Sequence, residues 1–91
     1  MAASDTLALG ALRELRRMGK RVPDDVALVC FDDPADGDLL DPPLTALTRP
    51  YGDLGKLAAG LLLEGLRGAV QSEPTELRVP LELVVRTSCG C

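Results

Sequence analysis

The sequence contains no histidine and no tryptophan, and it has only one phenylalanine, one tyrosine and three cysteines. Without histidine, neither a Ser-His-Asp nor a Cys-His catalytic arrangement is possible. A glycine-rich phosphate-binding loop is also absent from the sequence. We therefore expect no catalytic residues, no metal site and no cofactor, and we do not expect the chain to be an enzyme.

Long apolar runs and targeting signals are lacking as well. No stretch approaches the ~20 apolar residues of a membrane-spanning helix. Residues 1–12 have neither the basic region nor the apolar run of a secretory signal peptide. An odd number of cysteines argues against a disulfide framework. These absences predict a cytoplasmic protein that has no membrane partner.

Basic residues are too few and too local for a nucleic-acid surface. The chain carries a formal net charge of −4, whereas nucleic-acid binding depends on neutralising phosphates. The favoured interpretation of the basic cluster is the solvated face and last turn of a helix, rather than a patch for a partner. This cluster comprises Arg13, Arg16, Arg17, Lys20 and Arg21. We expect this chain itself to bind no nucleic acid.

The residues that are present predict a small α/β domain. The 91 residues are 46% apolar, which is enough for one modest core, built here mainly from Leu, Val and Ala. Hydrophobic periodicity predicts the order helix–strand–strand–helix–strand and a mostly parallel sheet. The predicted elements are a helix over 5–18, strands over 26–31 and 44–48, a helix over 51–67 and a strand over 76–86.

Caps and side-chain patterns refine these elements. Ser4 and Asp5 are good N-cap residues for the first helix, and Gly10 within that helix is expected to allow close approach to a strand. Residues 76–86 alternate along the chain, which predicts a half-buried strand with its apolar side chains inward, and Pro80 places it at an edge or a bulge. Residues 71–75 are expected to be a polar connection, and residues 87–91 a frayed tail.

The first predicted strand ends in two adjacent carboxylates, Asp32 and Asp33. In an open α/β sheet, side chains at the carboxyl ends of strands line the ligand crevice. Asp32 is therefore either a carboxylate that accepts ligand hydroxyls or a cap of the following loop. Asp33 is expected to be a turn or capping residue. A Mg²⁺ site would need a further Asp and a Lys at other strand ends, and neither is evident.

The three cysteines are Cys30, Cys89 and Cys91. They do not complete a closed zinc site, which needs four ligands. A metal site shared between chains is the arrangement that would work. The favoured interpretation is instead a tail with two oxidisable thiols.

Several segments together resemble the C-terminal end of the LacI/GalR family of bacterial transcription regulators. They are Ser-Asp-Thr-Leu-Ala-Leu-Gly-Ala-Leu at 4–12, Val-Pro-Asp-Asp-Val-Ala-Leu-Val-Cys-Phe-Asp-Asp at 22–33 and Pro-Pro-Leu-Thr-Ala-Leu-Thr-Arg-Pro at 42–50. Leu-Gly-Lys-Leu-Ala at 54–58 and Glu-Leu-Val-Val-Arg at 82–86 fit as well. The segments occur in order over essentially the whole chain, and they are specific as a set.

The resemblance implies a fragment of a core similar to periplasmic sugar-binding proteins, in which an effector binds between two lobes. Residues 1–91 would be a single partial domain, the C-terminal portion of the effector-binding and dimerising core, with no DNA-binding headpiece. The helix over 51–67 would pack on the N-terminal lobe. The other elements would belong to the C-terminal lobe.

The resemblance also implies roles for individual residues. Asp32 matches a residue that commonly binds sugar hydroxyls or ribose. Tyr51 matches one that often stacks on the ligand, but a hydrophobic staple at the start of the second helix is an equally good interpretation of this residue. Ser4 and Asp5 match the Asn-Asp motif at the start of the first helix, whose Asn contacts the effector. Cys30 replaces the usual Gly. The resemblance further places Leu39 and Leu40 in a stretch that often lies in the dimer interface.

We therefore expect a regulator fragment that supplies one wall of a site for a sugar or nucleoside-like effector and contributes to a homo-oligomer. Operator DNA would be bound through a headpiece that this chain lacks. The alternative is a free-standing self-association module with no ligand, because unpaired sheet edges recruit other chains.

Overall fold

The computed structural model describes residues 1–68 and 76–91, so the predicted polar connection over 71–75 lies outside the described residues. The chain forms two compact units. The first contains Met1–Arg49 and Leu81–Cys91, and the second contains Pro50–Pro80. The elements are α1 (Asp5–Arg17), β1 (Val29–Phe31), β2 (Thr45–Thr48), α2 (Tyr51–Leu66), β3 (Glu82–Val84) and a 3₁₀ turn (Thr87–Cys89). The predicted α/β class and element order are confirmed.

The sheet of the first unit is mixed, with one parallel and one antiparallel pair among its three strands. The order is β1-β2-β3, with β1 parallel to β2 in the register Cys30↔Ala46. Ala2 adds a parallel bridge to Cys30 on the other side of β1. The strand β3 pairs with β2 in the antiparallel direction, so it is an edge strand of this sheet, as Pro80 indicated.

The helix α1 begins and ends as its sequence predicts. The Ser4 hydroxyl accepts a hydrogen bond from the Leu7 N–H at 3.3 Å, which satisfies one of the free amides of the first turn. After Arg17 the chain turns at Gly19, whose φ is 69°, and the Lys20 N–H donates to the Leu15 carbonyl at 2.9 Å. The expectation for Gly10 is wrong, because no atom lies within 4 Å of the position a Cβ would take there.

The core of the first unit is small and lies between α1 and the sheet. Its buried apolar residues are Ala8, Leu28, Cys30, Leu44 and Ala46. Short side chains at Ala8 and Ala46 let the helix and the sheet approach closely. Such a core contributes little to stability, at about 25 cal/mol per Å² of buried apolar surface, so polar contacts carry more of the specificity of this unit.

The last strand differs from its prediction in length and in orientation. The strand β3 has only three residues, Glu82–Val84, and Leu81, Leu83 and Val85 are exposed. Val84 and Arg86 are half-buried instead. The alternation of apolar residues predicted the wrong buried face, because the Arg86 side chain is directed inward and donates to the Asp33 carboxylate.

The prediction of a frayed tail over residues 87–91 is also wrong. Residues Thr87–Cys89 form a 3₁₀ turn in which Ser88 is fully buried. The Ser88 hydroxyl donates to the Leu28 carbonyl at 2.7 Å and accepts from the Thr45 N–H at 2.8 Å. The tail is therefore tied to the segment before β1 and to the start of β2.

The second unit contains α2, which the sequence predicts to within one residue. Asp53 lies in its first turn, where a negative charge suits the helix dipole. Gly68 follows the helix with a φ of 84°. None of the residues of α2 is buried. Its exposed leucines are Leu54, Leu57, Leu61, Leu62, Leu63 and Leu66.

Candidate functional site

Parallel strands of the first unit bring polar side chains to one edge of the sheet. Asp32 and Asp33 follow β1, and Arg49 follows β2. Ser4 and Asp5 come after the bridge residue Ala2, which runs parallel to β1. Because the carboxyl ends of parallel strands meet at the same edge, these residues share the edge where open α/β sheets bind ligands.

The electrostatics of Cys30 indicate that the carboxylates gather around one point. Burial raises the pKa of the Cys30 thiol, and the negative charges of Asp33, Asp5 and Asp32 raise it further. The Cys30 thiol donates a hydrogen bond to the Asp32 carbonyl at 3.4 Å. The thiol at this position therefore contacts the backbone immediately after β1.

Asp32 has an unusual backbone conformation. Its φ is 65°, in the left-handed region that non-glycine residues rarely occupy. Aspartate tolerates this region better than most residues do. Such conformations concentrate at functional sites, where surrounding contacts maintain them. The turn leaves the Asp32 side chain 23% exposed, so its carboxylate remains within reach of a small molecule.

Arg49 makes a two-point ion pair with Asp32, which we call the outer pair. The Arg49 Nε lies 2.7 Å from Asp32 Oδ1, and its Nη2 donates to Oδ2 at 3.1 Å. The Arg49 side chain is 40% exposed. Sequence reasoning placed Arg49 at the end of the second strand but missed its contact with Asp32. Parallel register between the two strands is the signal that could have found it.

Asp33 makes a second two-point ion pair, with Arg86, which we call the inner pair. The Arg86 guanidinium donates to Asp33 Oδ1 at 2.6 Å and to Oδ2 at 2.8 Å. It also donates to the Leu44 carbonyl at 2.6 Å. The hydrogen bonds from Arg86 lower the pKa of the Asp33 carboxyl. Asp33 thus binds the end of β1 to the chain after β3, a role beyond the predicted turn or cap.

Gly37 makes room for the inner pair. A Cβ at this position would lie 2.7 Å from Asp33 Oδ1 and 2.8 Å from Arg86 Nη1. Real Cβ atoms do not approach polar atoms so closely, so a side chain at Gly37 would displace the ion pair. The Leu44 N–H donates to the Gly37 carbonyl at 2.9 Å, which closes the loop between β1 and β2 over the pair.

Ser4 and Asp5 are engaged in local hydrogen bonds at the start of α1. The Ser4 hydroxyl caps the helix through Leu7, and Asp5 Oδ1 accepts from the Thr6 N–H at 2.6 Å. Both residues are half-buried. Their predicted contact with an effector stays a prediction, as does that of Tyr51, the first residue of α2 in the second unit.

Leu39 and Leu40 differ in environment. The Leu39 side chain is 78% exposed, whereas Leu40 packs against the core. Both line a shallow groove of about 390 Å³ between α1 and the loop that precedes β2. The other lining residues are Leu9, Leu12, Arg13, Arg16 and Asp41. Part of the basic cluster thus borders an apolar surface, and Arg16 holds the loop by donating to the Asp41 carbonyl at 2.8 Å.

Over residues 1–68 and 76–91, no group of three or more His, Cys, Asp or Glu side chains could hold a metal ion. In the same ranges, no helix is long and apolar enough to cross a membrane.

A mixed sheet that gathers polar residues at the carboxyl ends of its parallel strands places the chain in the class of open α/β domains, which commonly bind ligands at that edge. Comparison with known proteins agrees. The family model of the periplasmic binding protein-like domain matches residues 1–89. The transcriptional regulator CelR of Thermobifida fusca is 41% identical over 87 residues.

Comparison with solved structures agrees with the family match. The CelR–cellobiose complex superposes with a TM-score of 0.85 at 40% identity, over 96% of this chain and 27% of that chain. The lac repressor dimer bound to operator and the anti-inducer ONPF superposes with a TM-score of 0.83 at 34% identity, over 97% of this chain and 30% of that one. The chain therefore belongs to the periplasmic-binding-protein-like family, among the LacI-type regulators. The match with CelR covers 96% of this chain but only 25% of the length of CelR.

Proposed function

We propose that the chain is part of the effector-binding core of a LacI-type transcriptional regulator and supplies one wall of a site for a sugar-like small molecule. The observation that carries the proposal is Asp32, a strained residue at the carboxyl edge of the sheet with an accessible carboxylate. A relative of known structure is a complex with cellobiose, which supports a carbohydrate as the class of effector.

The outer pair gives the site both hydrogen-bond acceptors and hydrogen-bond donors. A carboxylate has about four acceptor sites on its two oxygens, so Asp32 can hold Arg49 and still accept sugar hydroxyls. The Arg49 guanidinium keeps further N–H groups that can donate to a hydroxyl oxygen. A neutral polyol, whose hydroxyls both donate and accept, complements this combination better than an anion, which the nearby Asp5 would repel.

Further contacts are proposed for the residues that the family resemblance assigns. Ser4 and Asp5 would contact the effector from the start of α1, and Tyr51 would stack on a sugar ring or a base. The opposite wall of the site would come from the N-terminal lobe of the regulator. Closure of the two lobes around the effector would then change how the regulator binds operator DNA, through a headpiece outside this sequence.

Leu39 and Leu40 would contribute to a homo-oligomer. An exposed leucine beside an apolar groove is typical of a contact surface. We expect Leu39→Glu to weaken self-association of the 91-residue chain by about tenfold, because a buried charge without a partner opposes the contact. Sedimentation equilibrium measures this effect. Leu7→Glu is the matched control, since Leu7 is 60% exposed on α1 but does not line the groove. A wild-type chain that stays monomeric at all concentrations would contradict the oligomer.

A self-association module without a ligand is the second candidate function. The exposed leucines of α2 and the short edge strand β3 favour it, because both invite contacts with other chains. The coding region upstream of this sequence distinguishes the two functions. A headpiece and a first lobe encoded there would favour the regulator.

Calorimetric titration of the full-length regulator tests the effector site. The ligands are cellobiose, glucose, ribose and adenosine. We expect Asp32→Ala to weaken binding of the sugar that the wild type binds by about a hundredfold, because two hydrogen bonds to a charged group are lost. Unchanged affinity in this variant would remove Asp32 from the site, and a wild type that binds none of these ligands would contradict the sugar class.

A further inference from the structure

The Cys89-Gly90-Cys91 segment has no part in the effector site, and its structure differs from that of a loose tail. Ser88, the residue before it, makes four hydrogen bonds to the start of β2 and to the segments just before β1 and β2. Its hydroxyl contacts the Leu28 carbonyl and the Thr45 N–H. Its backbone N–H donates to the Pro43 carbonyl at 2.9 Å, and its carbonyl accepts from the Leu28 N–H at 2.8 Å. Cys89 is therefore attached to a fixed point.

The turn at Gly90 brings the two cysteines together. Gly90 has a φ of 73°, a conformation that L-residues with a side chain rarely adopt. Its N–H donates to the Thr87 carbonyl at 3.1 Å, which closes the turn. The Cys91 N–H then donates to the Cys89 sulfur at 3.4 Å. This geometry holds the chain at Cys91 against the Cys89 side chain.

We propose that Cys89 and Cys91 form a dithiol site that reduces low-molecular-weight disulfides and closes to an intramolecular disulfide. The Cys89 thiolate would attack one sulfur of the disulfide RSSR, forming a Cys89–SR mixed disulfide and releasing RS⁻, which takes up a proton. The Cys91 thiolate would then attack the Cys89 sulfur, forming the Cys89–Cys91 bond and releasing the second RS⁻. Two protein thiols are oxidised, and RSSR is reduced to two RSH.

The environment of each sulfur supports this order of events. Hydrogen bonds from the Cys91 thiol and the Thr45 hydroxyl lower the pKa of Cys89, whereas the pKa of Cys91 is raised by the same contact with Cys89. The thiolate is the attacking species. The Cys89 thiol donates to the Arg86 carbonyl at 3.4 Å and would lose this proton before it attacks. The Cys91 N–H donates to the Cys89 sulfur at 3.4 Å and would stabilise a thiolate there, so we assign the first attack to Cys89. Cys91 is exposed and Cys89 is half-buried, so a small disulfide can reach the pair. Cys30 is fully buried and has a raised pKa, so it should not compete.

Reaction of the folded 91-residue chain with oxidised glutathione under anaerobic conditions tests the proposal. We expect release of two equivalents of reduced glutathione for each chain, and a disulfide between Cys89 and Cys91 by peptide mapping in the mass spectrometer. Cys91→Ser should stop at a stable glutathione adduct on Cys89. Cys30→Ser should react like the wild type. A persistent adduct on the wild type, or disulfides between chains, would overturn the proposal.

The role of the folded turn has its own test. Gly90→Ala should slow ring closure by about tenfold, because alanine disfavours the left-handed conformation. Gly19→Ala is the matched control, since Gly19 has a φ of 69° at the end of α1 and should leave closure unchanged. Denaturing the wild type in guanidinium chloride should slow closure to the rate of the free peptide Thr-Ser-Cys-Gly-Cys. Equal rates in the native and denatured chain would show that the fold does not organise the dithiol, and would overturn this site.

Discussion

Asp32 and Asp33 are adjacent in sequence, and each makes a two-point ion pair with an arginine, yet the two pairs differ in environment. In the inner pair, Asp33 and Arg86 are 19% and 17% exposed, and Arg86 also holds the Leu44 carbonyl. In the outer pair, Arg49 is 40% exposed, and Asp32 has a left-handed backbone. The two carboxylates are almost equally exposed, at 19% for Asp33 and 23% for Asp32, so the pairs differ in the exposure of the arginine and in the backbone conformation of the aspartate.

The largest expected effect comes from breaking the inner pair. Arg86→Met should lower the free energy of unfolding by about 2 kcal/mol, because it leaves the half-buried Asp33 carboxylate without its partner. Urea denaturation followed by circular dichroism measures the change. The double variant Arg86→Met with Asp33→Asn removes the stranded charge and should recover much of the loss. A loss below about 1 kcal/mol in the single variant would mean that the inner pair stabilises the fold no more than an exposed ion pair does.

Acid titration of the same pair gives an independent measurement. Because the folded state lowers the pKa of Asp33 below its ordinary value of 3.8, the contribution of this carboxylate is present above that value. It is lost as the pH falls through the lowered pKa of the folded state. The wild type should therefore lose stability more steeply below the ordinary value than Asp33→Asn does.

The second largest effect on stability, of nearly the same size, is expected at Gly37, whose lack of a side chain leaves room for the inner pair. Gly37→Ala should destabilise the fold by about 2 kcal/mol, because the new methyl group would overlap Asp33 Oδ1 and Arg86 Nη1. Gly10→Ala is the matched control. Gly10 lies in the interior of α1 with no atom within 4 Å of a new Cβ, so alanine there should stabilise by about 0.5–1 kcal/mol. If Gly37→Ala changed the free energy of unfolding as little as Gly10→Ala does, the loop would be able to move without disturbing the inner pair.

Much of the fold follows from local sequence signals. The helices begin and end within one residue of their predicted bounds, because Ser4 and the glycines after each helix fix the ends locally. The carboxyl edge was predictable from the apolar run over 26–31 that precedes Asp32, although only Val29–Phe31 of this run form the strand. The family resemblance, rather than the pattern of residues, supplied the expected site roles.

The partners of the two aspartates were not predictable, because the contacts join residues far apart in the chain. Arg86 lies 53 positions from Asp33, and the alternation of residues 76–86 indicates an amphipathic strand without saying which face a distant carboxylate will draw inward. For the same reason the sequence indicated a frayed tail, whereas Ser88 reaches back to Leu28 and Thr45.

The smallest effect on stability, and the sharpest test of the comparison, comes from the outer pair. Arg49→Gln should change the free energy of unfolding by less than about 1 kcal/mol, because exposed ion pairs contribute little. Its affinity for the sugar effector should nevertheless fall by about tenfold, since in the proposed site Arg49 would both orient the Asp32 carboxylate and donate to the ligand. Calorimetry of the full-length regulator measures the affinity. Arg49→Lys, which keeps the charge but lacks the planar fork, should give an intermediate loss. If Arg49→Gln instead destabilised the fold as much as Arg86→Met does and left sugar affinity unchanged, the outer pair would be a second structural ion pair, and the two aspartates would have the same role.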